Sequence, residues 1–226
     1  MDKICAIIPA YNEEPRIGAV LDVVTGIDFF SEIIVVNDGS RDKTGTEAQK
    51  FPVKLIEHRD NLGKGAALQT GLEASSPSDI FFFLDADLIG LQKKHLDQLL
   101  EPVINEKKAA MSIGVFRQAG LLVDLAQNLF PALNGQRALT GDFVKGLPDL
   151  SWSRFGVEIL LNRFSRMQGA PVAWVPLKKI SHWTKEQKDG LWQGGAHRLK
   201  MYKECLKCQF TYRNKIVGTS REKKVP

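Results

Sequence analysis

Three apolar runs in this chain each end in a polar cluster, and that repeated arrangement most constrains how it can fold. "KICAIIPAY" leads into Tyr11-Asn12-Glu13, "SEIIVV" into Asn37-Asp38-Gly39-Ser40, and "DIFFFL" into Asp85-Ala86-Asp87. Unbroken apolar runs of this length read as strands buried on both faces, the habit of parallel sheets. Helical patterns stand between them. "EEPRIGAVLDVVTG" has Pro15 near its start and Gly26 near its end, and "RDKTGTEAQKF" is a short helix. "KGAALQTGLEAS" carries Ala and Gly residues that permit close packing on a sheet. "VKLIEH" supplies a further strand, "LQKKHLDQLLEPVINE" a helix and "AAMSIGVF" another strand. This order predicts an α/β fold with a mainly parallel central sheet flanked by helices. In such sheets ligands collect outside the carboxyl ends of the strands, so the three polar clusters converge on one place.

The second half is less regular. "NGQRALTGDFVKGLPDLSWSRFG" is rich in Gly, Pro and polar residues and reads as a functional loop region with short helical pieces. "FGVEILLNRFSRMQG" is a helix closed by Gly169, and "APVAWVPLKKISHW" forms one or two strands. "DGLWQGGAHRLKMYKECLKCQF" is an amphipathic helix, and "NKIVGTSREKKVP" a mobile tail.

With 226 residues, 43% hydrophobic and 25% charged, the chain has the composition of a globular protein with a substantial core. No apolar run approaches the roughly 20 residues that span a bilayer, and the start lacks a signal-peptide pattern. A cytoplasmic location is therefore expected. Three cysteines are too few for a disulfide scaffold, and Cys205-x-x-Cys208 has no second ligand pair at zinc spacing. The net charge of +5 is uneven: residues 185–226 carry eleven Lys/Arg against four Asp/Glu. This stretch suits an anionic membrane surface or a phosphorylated substrate, or is simply solvated. No nucleic-acid-binding motif accompanies it, so no nucleic acid is expected.

Asp85 and Asp87 end a greasy strand, where an unpaired buried carboxylate is costly. Either they are solvated in a surface turn, or they meet a divalent cation. Hard oxygen ligands suit Mg2+ or Mn2+, which fill the rest of their shell with water and substrate phosphates. A bare D-x-D is common and decides nothing by itself. Asp38 is either a cap or a contact to a nucleotide's base or ribose. Gly63-Lys64-Gly65 opens a helix, where free N–H groups and a lysine can meet phosphate. G-x-x-x-x-G-K-[ST] does not occur, so there is no P-loop, and the lack of G-x-G-x-x-G after the first strand argues against a dinucleotide oxidoreductase.

Taken together, "AIIPAYNEE", "VVNDGSRDKT", "NLGKGAALQTGL" and "FFLDADL" resemble the family 2 glycosyltransferases of GT-A fold, notably the dolichyl- or polyprenyl-phosphate sugar transferases and their soluble relatives. The resemblance is looser beyond residue 88, through "GQRALTGDF", "RFGVEILL" and "ISHWTKEQKDG". It implies a single domain over 1–210, with a nucleotide-sugar-binding half (1–110), an acceptor-binding half (111–210) and a basic tail (211–226). Pro9, Ala10, Tyr11, Glu13 and Asp38 would line the nucleotide pocket. Lys64 and Gly65 would belong to the donor site, and Asp85, Ala86 and Asp87 would face the diphosphate. Asp85, Asp87 and His182 would hold Mg2+ or Mn2+, and Glu158 would line the sugar or acceptor side. Arg137 is the candidate for an acceptor phosphate through a bidentate fork. Asp142 is the first candidate for a catalytic base and Glu158 the second, unless the acceptor is an ionised phosphate that needs none.

The expected function is metal-dependent transfer of a hexose from a UDP- or GDP-linked donor to a polyprenyl or dolichyl phosphate, or to another phosphorylated acceptor. Alternatives are a glucosyl- or mannosyl-3-phosphoglycerate synthase-like enzyme and a non-catalytic nucleotide-sugar-binding module. The basic C-terminal helix is a candidate peripheral contact with the cytoplasmic membrane face, and a homodimer is a candidate assembly.

Overall fold

The computed structural model describes residues 2–104, 108–117 and 135–182, together with Cys208 and Thr211. The expected C-terminal amphipathic helix and basic tail lie almost wholly outside the described residues. The first half alternates strand and helix: β1 (Ile4–Ala10), α1 (Ile17–Thr25), β2 (Phe30–Asn37), α2 (Thr44–Ala48), β3 (Lys54–Glu57), α3 (Lys64–Ala74) and β4 (Ile80–Phe83). A two-residue strand β5 (Leu88–Ile89), helix α4 (Lys93–Ile104) and strand β6 (Met111–Arg117) follow. The second half contains β7 (Arg137–Thr140), α5 (Gly141–Lys145), a 3-10 turn (Ser151–Gly156), α6 (Val157–Gln168), β8 (Val172–Lys178) and β9 (Ser181–His182).

Seven strands form one sheet in the order β3-β2-β1-β4-β7-β6-β8. β1 pairs in parallel with β2 and β4, β2 with β3, and β6 with β8, while β7 runs antiparallel to both its neighbours. The mainly parallel sheet expected from the apolar runs is present, with one reversed strand inside it. That strand is the main difference from the sequence reading, which took "GQRALTG" as loop. Four residues, one of them a buried arginine, leave too little apolar periodicity to announce a central strand.

The pleat explains why β1 is apolar throughout. Ile4, Ala6 and Ile8 enter one core with α1 and α4, while Cys5 and Ile7 enter the other with α3 and α6. α1 buries Ile17, Val20, Leu21 and Val24, the three-and-four spacing of a one-sided helix. It begins at Ile17, later than its Pro15 signal suggested, because the amides of Arg16 and Ile17 both first close a turn onto Glu13 O at 2.9 Å. α3 lies close on the sheet because Gly71 leaves only an α-hydrogen against the Ile7 side chain.

Candidate active site at the carboxyl edge of the sheet

Strand register brings the polar clusters to one edge. Ala10 is level with Asn37, and Ile7 with Phe83, so the residues after β1, β2 and β4 all leave the sheet on the same side. β7 runs the other way, so its first residue, Arg137, stands beside Phe83 and delivers Gly135 and Gln136 to that edge.

Lys64, the first residue of α3, is the centre of the arrangement. Its Nζ donates to Asp85 Oδ1 at 2.5 Å and to Glu158 Oε1 at 2.6 Å. Glu158, in the first turn of α6, is 6% exposed, so one ammonium ties the two halves of the chain together. Burial pulls the Lys64 ammonium downward, but the two carboxylates more than reverse this and hold it above the ordinary lysine value. The other oxygen of Asp85 accepts from Gln136 Nε2 at 2.8 Å. Gly135 lets these groups close up, since a Cβ there would run into both the Asp85 carboxylate and Lys64 Nζ.

Several expected site residues have other tasks. Asp38 is 3% exposed and turned inward, accepting from the amides of Leu62 at 2.9 Å and Gly63 at 2.8 Å. His58 Nδ1 lies 2.7 Å from the same carboxylate, so Asp38 shapes the loop that presents Lys64. Gly65 is small because it packs under Ser153 and the Leu150 carbonyl. Arg137 is fully buried and donates from Nη1 to Asn162 Oδ1 at 2.7 Å, a place inside the fold that the sequence did not suggest. Burial lowers its pKa to about 10, against the opposing pull of Glu158 and Asp85. Asp142 is 92% exposed, pairs with Lys145 at 2.9 Å, and follows the β7 end that lies beside Ile80. Three strand steps, roughly 10 Å, separate that end from the β4 terminus where Asp85 emerges, so Asp142 stands apart from the Lys64 centre.

Others stay at the edge. Pro9 and Ala10 finish β1, Tyr11 is 40% exposed beyond them, and the Glu13 carboxylate accepts from Arg16 at 2.9 Å. Ala86 is buried between the two aspartates. The backbone of His182 pairs with Leu88, directly after Asp87.

Among the described residues, no three His, Cys, Asp or Glu gather into a metal cage. That does not disqualify Mg2+ or Mn2+, which bind through one or two carboxylates plus phosphates and water. Asp85 has both oxygens engaged by Lys64 and Gln136, and Asp87 stands next to the β5–β9 pair.

Three features were not legible in the sequence. Gln136 is 1% exposed, and its Oε1 is buried with no hydrogen-bond partner, an omission that costs about 1–3 kcal/mol. Arg154 holds a positive φ of 48°, rare for a residue with a side chain, and packs against Gly63, whose φ is 98°. Its Nη1 donates to Leu62 O at 3.3 Å, so the turns before Lys64 and Glu158 interlock. Cys208 is buried, with Sγ 3.3 Å from Gly156 O, and burial raises its thiol to about 11, as suits a packing residue and not a redox site.

Residues 5–156 match the family model described as "Glycosyl transferase family 2". A dolichyl-phosphate beta-glucosyltransferase of Trichomonas vaginalis is 34% identical over 126 residues, covering 48% of this chain and 36% of that protein. A dolichol-phosphate mannosyltransferase of Pyrococcus furiosus is 31% identical over 121 residues, covering 50% and 32%. These matches thus span about a third of each relative's length. In structure, glucosyl-3-phosphoglycerate synthase from Mycobacterium tuberculosis, solved with Mn2+, UDP-glucose and phosphoglyceric acid, superposes with a TM-score of 0.73 at 27% identity. That superposition covers 93% of this chain and 79% of that one, and it bears out the GT-A fold expected above.

Proposed function

Because this chain belongs to glycosyl transferase family 2, we propose that it transfers a hexose from a nucleoside-diphosphate sugar to a phosphorylated acceptor. The observation that carries the reading is the Lys64 bridge to Asp85 and Glu158 at the edge where the four motifs meet. A buried cation between two carboxylates forms a preorganised polar wall, suited to accepting and donating hydrogen bonds to a polyhydroxylated ring. Asp87, with His182 beside it in the β5–β9 pair, would hold Mg2+ or Mn2+. When bound, the ion neutralises the diphosphate as it becomes a leaving group. Tyr11, Pro9 and Ala10 would flank the nucleotide. Lys64 and Glu158 would orient the hexose and keep water from its place.

Neither expected base serves well: Asp142 is remote, and Glu158 is held against the Lys64 ammonium. This favours an acceptor whose attacking oxygen already carries charge, such as a polyprenyl phosphate, over one whose hydroxyl must first lose a proton. A basic segment such as 185–226 would suit meeting that acceptor at an anionic membrane surface. A second reading, a glucosyl-3-phosphoglycerate synthase-like enzyme, is favoured by the structural likeness over 93% of the chain.

The test is a transfer assay over UDP- and GDP-sugars with Mn2+ or Mg2+, offering polyprenyl phosphate and 3-phosphoglycerate in parallel. Metal-dependent product with the first acceptor supports the leading reading, and product with the second alone supports the other. Lys64→Met should abolish turnover with either acceptor, since it leaves two buried carboxylates without their cation. Removing one partner of such a pair also costs about 3–5 kcal/mol of stability. Full turnover in that variant would rule out the proposed centre, and no transfer by the wild type would point to a binding module.

A further inference from the structure

Gln136 carries a feature that sugar transfer alone does not explain. Its Nε2 donates to Asp85 Oδ2 at 2.8 Å, while its Oε1 is buried with no hydrogen-bond partner. The orientation of the amide is forced. Turning it over would set a carbonyl oxygen against a carboxylate oxygen at the same spacing, two acceptors with no proton between them. The grip on Asp85 therefore isolates the oxygen, and an apolar side chain of similar length would spare the fold that penalty. The surroundings reinforce the grip. Lys64 holds the other oxygen of Asp85 at 2.5 Å, and Gly135 keeps the space beside the carboxylate clear of a Cβ. A residue that weakens the fold and fixes one carboxylate of the site is better explained by what it does to that carboxylate than by packing.

We propose that Gln136 is a positioning residue: together with Lys64 it holds Asp85 in a single orientation and withholds it from a divalent cation. Its functional meaning rests on the sugar-transfer reading, but its physical content does not.

The experiment compares wild type with Gln136→Met, and with Gln136→Leu as a second apolar variant should the first fold poorly. Three quantities are measured: thermal melting without ligands, Mn2+ binding in the presence of UDP by electron paramagnetic resonance of the free ion, and steady-state transfer. The expected pattern is a melting temperature at or above the wild type, Mn2+ binding tightened at least fivefold because Asp85 is released, and kcat lowered at least tenfold. A fall in melting temperature with Mn2+ binding unchanged would make Gln136 a packing residue and overturn the proposal. Unchanged or weakened Mn2+ binding at wild-type stability would overturn it equally. If the wild type transfers no sugar, the melting and Mn2+ comparisons still decide the role of Gln136, and only the reading of the reaction fails.

Discussion

At Lys64, burial and charge pull in opposite directions, and the charges win. The sign of the consequence is fixed. A lysine raised above its unfolded value contributes its full stabilisation below that value and loses it only as pH climbs through the folded one. The clamp therefore persists undiminished through neutral and mildly alkaline solution. Gly135 tests its tightness, because a methyl group there would meet both the Asp85 carboxylate and Lys64 Nζ. Gly135→Ala should lower kcat/KM at least tenfold, with a stability loss of about 1–3 kcal/mol from overpacking, read by transfer assay and denaturant titration. Wild-type values of both would show that the pair can move aside. Asp85, Lys64 and Glu158 were legible in the sequence because charged residues stand out in apolar or glycine-rich surroundings. Gln136 was not, since a glutamine beside an arginine in a Gly-rich stretch carries no periodicity. Asp142 misled for a related reason: its side of the sheet depends on the direction of β7, which short strands do not announce.

The elements flanking the site are secured by a histidine that takes no part in its chemistry. His95, in the first turn of α4, is 1% exposed; its Nδ1 accepts from the Gln92 amide at 3.1 Å, and its Nε2 donates to Lys178 O at 3.0 Å. It thus ties α4 to the end of β8, just before the β9 strand that pairs beside Asp87. Burial lowers its pKa, and protonation would turn the Nδ1 acceptor into a donor facing another donor. A histidine depressed in this way contributes stability above its unfolded value near 6.5 and loses it as pH falls below. Melting temperature should therefore drop as pH falls below about 6.5, and His95→Asn should flatten that slope. Equal slopes would assign the acid sensitivity elsewhere. The parallel core of β1, β2 and β4 was readable because strands buried on both faces are apolar without interruption. β7 was hidden because its arginine replaces an apolar side chain with a buried charge that Asn162 accommodates.

Across the whole molecule, β4 joins the two halves. It pairs with β1 on one side and with β7 on the other, so the sheet continues from the N-terminal motifs into the second half. Two halves sharing one sheet and both cores should unfold together. Calorimetry is expected to show one transition whose van't Hoff and calorimetric enthalpies agree, and two resolved transitions would divide the chain after all. The Lys64–Glu158 bridge adds a consequence in time. Its partners are 94 residues apart, which at a synthesis rate of about 5–20 residues per second is roughly 5–20 s of translation. Within that interval, between residues 88 and 137, the nascent chain already carries all four N-terminal motifs, but the ammonium lacks its second carboxylate and the edge of β4 lacks its reversed neighbour. A ribosome stalled in this window would display the signature of the family on a chain whose site has yet to come into being.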